Sequence, residues 1–222
     1  MKRINIVTGH YGSGKTEFAL NYAIKLCNAF GKSAICDMDI VNPYFRTFDA
    51  TKELTDLGVK VIAPEYAGTN LDLPSLPSDI LSVFSNKDVP AVLDVGGDED
   101  GAIALGQYYP YLKDEDYEMF FVINAKRPDT SNVDDILKLA DEIQYASRCR
   151  ITAIVNNTNL SYISSPTELS QSLSLTEEVS KRMNVPVKYV SGIPEILEKV
   201  DTGDIEKFPL RLFMQLPFDA FA

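Results

Sequence analysis

The sequence predicts an α/β protein: a three-layer, doubly wound domain built on a mainly parallel sheet. Three observations lead there. Short apolar runs of strand length recur along the chain and alternate with segments whose apolar residues fall at i, i+3 and i+4. Those runs are apolar on consecutive residues, as strands buried on both faces of a parallel sheet are. The first of them leads through a glycine-rich stretch, Gly9 to Thr16, directly into a helix-forming segment.

Composition narrows the class. The alternation runs without a break through 222 residues, so 1–222 is expected to be one domain, ending in an apolar tail over 204–222. Apolar runs as short as Met119-Phe120-Phe121-Val122-Ile123 argue against a membrane span, and the N-terminus enters a strand too soon for a signal peptide. Cys27, Cys36 and Cys149 lack CxxC spacing; they read as core thiols of a reduced, cytoplasmic protein and not as a zinc or cluster site. A formal net charge of -11 disfavours nucleic acid and anionic lipid as partners, because Lys and Arg supply most of that affinity. The basic pair Lys126-Arg127 is too small to change this.

Residues 3–8 form the first strand. Gly9-His10-Tyr11-Gly12-Ser13-Gly14-Lys15-Thr16 then has the P-loop spacing, a Gly, four residues and Gly-Lys-Thr. Gly9, Gly12 and Gly14 admit positive φ, so successive N–H groups of the stretch, with His10 and Ser13 among its residues, can face phosphate oxygens. Lys15 is expected to neutralise the β and γ phosphates. Thr16 would set its hydroxyl on Mg²⁺ at the positive end of the helix dipole. Ala19, Leu20, Ala23, Ile24 and Cys27 line the buried side of that helix, which Gly31 ends.

Ser33 to Asp37 is the second strand. Asp37 and Asp39 are two apart, so extended backbone turns both the same way at the strand's carboxyl end, where open α/β sheets bind ligands. Two carboxylates there suit Mg²⁺ and an attacking water; the other reading is an acidic turn before Pro43. Residues 45–57 are expected to form a helix ending at Gly58, and 59–63 a strand. Residues 64–79, with Pro64, Pro74 and Pro77, form an irregular excursion, a lid or packing loop, and 76–84 begin another helix. Val89 to Asp94 is an apolar strand ending in an acid, the Walker B arrangement that holds Mg²⁺. Gly97, three residues on, can offer its N–H to a γ-phosphate, and Asp98 to Asp100 read as a solvated loop.

Glu118 to Asn124 is the next strand. Ser131 and Asp134 resemble a capping box for a helix that turns Val133, Ile136, Leu137, Ala140 and Ile143 inward. Arg150 to Asn157 is another buried strand, and Asn156 at its end can either exchange hydrogen bonds with a purine edge or close an Asx turn. A polar-faced helix over 167–183, a strand over 185–190 and the loop Gly192-Ile193-Pro194-Glu195 follow. In the tail, Pro209 and Pro217 prevent one long helix, and Phe208, Leu210, Leu212, Phe213 and Leu216 dock on the domain or meet a partner.

In this order and spacing, Gly9 to Thr16, Asp37 with Asp39, Asp94 to Gly97, Asn156 and Gly192 to Glu195 resemble the CobQ/CobB/MinD/ParA nucleotide-binding family of SIMIBI-class P-loop NTPases. The resemblance covers residues 1 to 200 in round terms. It implies the P-loop NTPase fold, with Asp39 as the water-positioning switch aspartate, Asp94 as the Walker B aspartate, Asn156 as the adenine contact and Pro194 beside the base. Pro128-Asp129-Thr130-Ser131 is similar to the turn after the family's fifth strand. One position departs: His10 stands where most of the family carries a signature lysine that crosses to a dimer partner's phosphates. Neutral imidazole is a poor substitute for a fixed cation, although a nearby γ-phosphate can protonate it. The expected turnover is that of P-loop proteins without such a cation, roughly 10⁻⁴ to 10⁻² per second. Asn156-Asn157-Thr158-Asn159 lacks the carboxylate of the guanine-specific Asn-Lys-x-Asp pattern, which favours ATP.

Three functions fit. The leading one is a slow ATPase with ATP and Mg²⁺ as cofactors and Lys15 and Asp39 as catalytic groups; Thr16, Asp37 and Asp94 surround the metal. Its nucleotide would set residues 38–47 and 95–101 and through them a protein partner or a second copy. The second is an ATP-dependent ligase or phosphotransferase similar to dethiobiotin synthetase, with Lys126, Arg127 and Arg46 anchoring a small acid. The third is a nucleotide sensor without turnover.

Overall fold

The computed structural model describes residues 1–39, 50–63, 79–97, 99–159 and 165–213. Its centre is an 8-stranded sheet of β1 (Ile4–Thr8), β2 (Ser33–Asp37), β3 (Val59–Ile62), β4 (Ala91–Asp94), β5 (Tyr117–Ile123), β6 (Ala153–Asn156), β7 (Val187–Gly192) and β8 (Glu206–Pro209). The order across the sheet is β3-β2-β4-β1-β5-β6-β7-β8, with every neighbouring pair parallel. The chain builds from β1 first to one side and then to the other. The carboxyl end of β1 therefore lies at the switch point where doubly wound sheets open a crevice.

Strand alternation divides the core between two layers of helices. On one face, Phe120 and Val122 of β5 pack with Phe18, Leu20 and Tyr22 of α1 (Lys15–Phe30) and Leu54 of α2 (Thr51–Asp56). On the other, Met119, Phe121 and Ile123 meet α3 (Ile80–Ser85), α4 (Glu99–Gln107), α5 (Tyr109–Leu112), α6 (Val133–Ser147) and α7 (Pro166–Met183). A smaller cluster of Leu169, Val190, Leu197 and Val200 joins α7 to α8 (Pro194–Leu197). Among the described residues no helix is long and apolar enough to cross a membrane, and Cys27, Cys36 and Cys149 are buried free thiols.

The expected strands are all present, and several local expectations are corrected. The cap of α6 is Asn132, whose side chain accepts from Asp135 N, and not Ser131. The 3-10 turn Pro128–Thr130 draws Ser131 Oγ back to the Pro128 carbonyl and so delays the helix by a residue. Helix α7 starts at a true capping box, Ser165 with Glu168. Glu99 and Asp100 are not a solvated loop; they form the first turn of α4, where acids favour the positive end of the dipole, while Asp98 lies outside the described residues. Pro194 to Glu195 is likewise the start of a helical turn.

The tail contributes β8, which pairs with β7 and buries Phe208, while Leu210 beyond it enters the same core as α1. Docking on its own domain is thus the observed arrangement up to residue 213. Residues 214–222, the excursion over 64–78, and 40–49 with Arg46 lie outside the described residues.

Candidate functional site

Between β1 and α1 the loop carbonyls are tied one after another to protein donors. His10 O accepts from Ser13 N (3.0 Å), Tyr11 O from His10 Nδ1 (2.9 Å), Gly12 O from Arg127 Nε (2.9 Å), Ser13 O from Asn157 Nδ2 (2.8 Å) and Gly14 O from Phe18 N (3.0 Å). The N–H groups of Gly12, Gly14, Lys15 and Thr16 meet no acceptor among the described residues. In a trans peptide the carbonyl and the next N–H point opposite ways, so tying the oxygens outward turns these hydrogens into one concavity. Its position at a helix N-terminus adds the dipole. The loop thus has the form of an anion-binding nest.

Gly97 closes the cradle from the β4 side. A Cβ there would stand 2.5 Å from Gly9 O and 2.7 Å from Tyr11 N, so the backbone leaving β4 touches the loop at a distance only glycine allows.

The acids converge beneath it. Asp37 and Asp94 are register partners on β2 and β4, and Val7 of β1 pairs with Asp94 on its other side. Asp39 lies past the strand end, with its N–H on Asp37 Oδ1 at 3.0 Å and its Oδ2 3.6 Å from Lys15 Nζ. Asp94 is buried, and burial pushes its carboxyl up to about 7; Lys15 and a hydrogen bond from Thr16 pull against this, and Asp37 and Asp39 add to it. Its Oδ1 has no partner among the described residues. Among the described residues no three His, Cys, Asp or Glu side chains are grouped to hold a metal by themselves. A buried carboxylate with an orphaned oxygen beside a Thr hydroxyl nonetheless fits one side of Mg²⁺, which keeps waters and takes substrate phosphates as ligands.

Asn156 is corrected by its surroundings. Its side chain is 0% exposed and turned to α7, donating to Ser172 Oγ (2.9 Å) and Thr176 Oγ1 (3.3 Å) and accepting from Thr158 N (3.1 Å). Adjacent strand residues point to opposite faces, so the next amide, Asn157, is the one that reaches the loop. Ser191 of β7 donates to Asn157 Oδ1 at 2.8 Å and fixes its orientation. Asn159 donates its amide to Asn157 O at 2.7 Å. Pro194 opens α8 beyond the same edge of the sheet, with no hydrogen bond or ion pair to the loop among the described residues.

His10 turns its Nε2 to Asp129 Oδ2, 3.4 Å away in the turn after β5. The same turn sends Arg127 to Gly12, while Lys126 pairs with Glu168 at 2.7 Å. Asn157, Arg127, Asp129 and Ser191 as supports of the cradle were not expected from sequence. The available signal was position at strand carboxyl ends: Arg127 and Asp129 follow β5, Asn157 follows β6, and Ser191 is the penultimate residue of β7.

No family model and no curated protein matches this chain. Solved structures do. The cell division protein FtsY of Thermotoga maritima superposes with a TM-score of 0.56 at 18% identity, over 85% of this chain and 60% of that one. A nucleotide-binding protein of Archaeoglobus fulgidus in complex with ADP gives 0.54 at 14% identity, over 89% and 84%. The signal recognition particle 54 kDa protein of Aeropyrum pernix in complex with GDP gives 0.52 at 14%, over 84% and 40%. The chain spans 60% of the length of the FtsY it matches. At these identities the likeness is one of fold, the parallel-sheet α/β P-loop NTPase fold.

Proposed function

We propose that this chain binds a purine nucleoside triphosphate, by preference ATP, in the Gly9–Thr16 cradle with Mg²⁺, and hydrolyses it slowly as a switch acting on a protein partner or a second copy. The observation that carries this reading is the preformed cradle with unanswered N–H groups at 12, 14, 15 and 16, directly beside Asp94. Solved structures with this fold hold ADP or GDP, which supports the nucleotide class.

Thr16 and Asp94 would hold the metal, with Asp37 next to them, and Mg²⁺ when bound neutralises charge developing on the phosphate oxygens. Lys15 starts from Asp39. A triphosphate gives the ammonium a more highly charged partner, and Asp39, no longer paired with Lys15, would orient a water in line with the γ-phosphate. Preference for ATP is supported by Asn159, an amide where guanine readers use a carboxylate, with its N–H already on Asn157 O.

The ligase or phosphotransferase reading needs free cationic anchors. Lys126 is paired with Glu168 and Arg127 rests on Gly12 O, so two of its candidates are engaged. Calorimetric titration of wild type and Lys15→Ala with ATP and with GTP, each with and without Mg²⁺, tests the proposal. Mg²⁺-dependent binding, tighter for ATP and lost in Lys15→Ala, is the expected result; no binding by wild type ends the proposal. Phosphate release over many turnovers, abolished in Asp39→Asn, separates a slow ATPase from a sensor without turnover.

A further inference from the structure

We propose that residues 211–213 form a strap that fixes the first turn of the P-loop helix, with Glu17 and Asn21 as positioning residues that receive it, and that docking of the strap and binding of nucleotide favour each other. The second half rests on the nucleotide-binding reading above. Beyond β8 the chain reaches α1 and is held there by its backbone. Asn21 donates its amide to Arg211 O at 2.9 Å, and its Oδ1 accepts from Arg211 N at 2.9 Å. One side-chain amide thus answers both polar groups of a residue, as a neighbouring strand would. Two residues on, Phe213 N donates to Glu17 Oε1.

The spacing matches on both sides. Glu17 and Asn21 are four apart in α1 and share a helix face, while Arg211 and Phe213 are two apart, where extended backbone turns its N–H groups the same way. Side chains add to the grip. Phe213 packs against the core around α1, with the Arg211 guanidinium 5.1 Å from the centre of its ring. Arg211 also pairs with Glu53 of α2, an exposed contact that contributes little by itself.

Both ends of the strap meet groups that hold the cradle. Glu17 follows Thr16 directly and is 9% exposed, and the Asn21 amide that takes Arg211 O also donates to Glu17 O at 2.8 Å. At the other end Leu210 N donates to Gly192 O at 2.8 Å, next to Ser191, which orients Asn157 on Ser13 O. A hydrogen bond from backbone N–H to a carboxylate is among the stronger ones, so the contact at Glu17 is the one that fixes the turn. With the turn fixed, less ordering is left for the nucleotide to impose, and its affinity rises. By linkage, bound nucleotide strengthens docking of the strap by the same factor.

The test uses the full chain with a non-hydrolysable ATP analogue and Mg²⁺, and amide hydrogen exchange in the same proteins. Phe213→Pro removes the ring and the N–H, Phe213→Ala only the ring, so their difference reads the hydrogen bond. Glu17→Ala removes the acceptor and Glu17→Gln keeps one. The dissociation constant for the analogue should be about fivefold higher in Phe213→Pro than in Phe213→Ala, and in Glu17→Ala than in Glu17→Gln. Exchange at Phe18, whose N–H on Gly14 O closes the first turn, should be faster in the same two variants, while Leu210 keeps its protection. In wild type the analogue should slow exchange at Arg211 and Phe213 by a similar factor. Equal affinities in Phe213→Pro and Phe213→Ala, or exchange at Arg211 and Phe213 that ignores the analogue, would leave the strap as packing alone and overturn the inference. Should wild type bind no nucleotide, the functional reading fails, and exchange at Phe18 in Phe213→Pro still decides whether the strap fixes the turn.

Discussion

Lys15 and Asp39 form an ion pair across the mouth of the cradle, Nζ to Oδ2 at 3.6 Å, with side chains only 7% and 13% exposed. The groups proposed for the phosphates and for the attacking water thus hold each other. Breaking the pair from either end should therefore have different results. Lys15→Ala should remove nucleotide binding. Asp39→Asn should keep or tighten nucleotide affinity, because Lys15 has nothing to leave, and lower the turnover rate by about a hundredfold or more. Calorimetry and phosphate release measure the two.

Burial of Asp94 should make the stability of the protein sensitive to pH. Its folded-state carboxyl is raised to about 7 by burial first, so between about 4 and about 7 the folded chain holds a proton that the unfolded chain has lost. Stability from this group is complete below about 4 and is lost as pH rises through 7. The sign is opposite to that of a salt-bridged carboxylate. Urea unfolding at pH 5 and pH 8, without metal or nucleotide, should show a loss of about 2–4 kcal/mol in wild type that Asp94→Asn does not share.

Gly97→Ala places a methyl against Gly9 O and Tyr11 N. Backbone must shift to admit it, and the backbone that shifts is the cradle. Nucleotide affinity should fall about tenfold or more, with a stability cost of about 1–3 kcal/mol. A thermal melt beside a binding titration separates the two effects.

Asn156 and Asn157 are neighbours with separate tasks. Asn156→Ala leaves Ser172, Thr176 and the Thr158 N–H short of a buried partner and should cost about 1–3 kcal/mol in stability, with the ATP-to-GTP preference unchanged. Asn157→Ala releases Ser13 O and should weaken nucleotide binding more than it lowers the melting temperature. A change of base preference in Asn156→Ala would restore it as a base contact.

Phe208 ties the tail to the domain. Its ring lies 4.9 Å from that of Phe18 and 5.2 Å from that of Tyr189, inside the core of the P-loop helix. Phe208→Ala should cost about 3–5 kcal/mol, seen as a lowered denaturant midpoint.

Sequence by itself determined the layers, the strands and the central loop of this protein. Each depends on local spacing: runs of apolar residues buried on both faces, 3.6-residue periodicity, and glycines flanking Gly-Lys-Thr. Asp37 and Asp94 were legible for the same reason, since an acid at the end of an apolar strand is a local pattern. Helix α4 was not legible. Its Gly101 and Gly106 resemble loop residues, yet they are where the helix meets the backbone of Gly96 and Ala146 too closely for a side chain. Strand β8 was hidden by two charges and a proline, which an edge strand tolerates and a central one does not.

Only the tertiary structure decided what surrounds the loop. Whether Asn156 or Asn157 reaches Ser13 depends on which side of β6 faces α1, and a shift of one residue reverses that choice. That Asp129 meets His10, and Arg127 meets Gly12, follows from β5 lying beside β1, a pairing between strands more than a hundred residues apart. Spacing along the chain names the groups that can bind a phosphate. Sheet order names the groups that hold them in place.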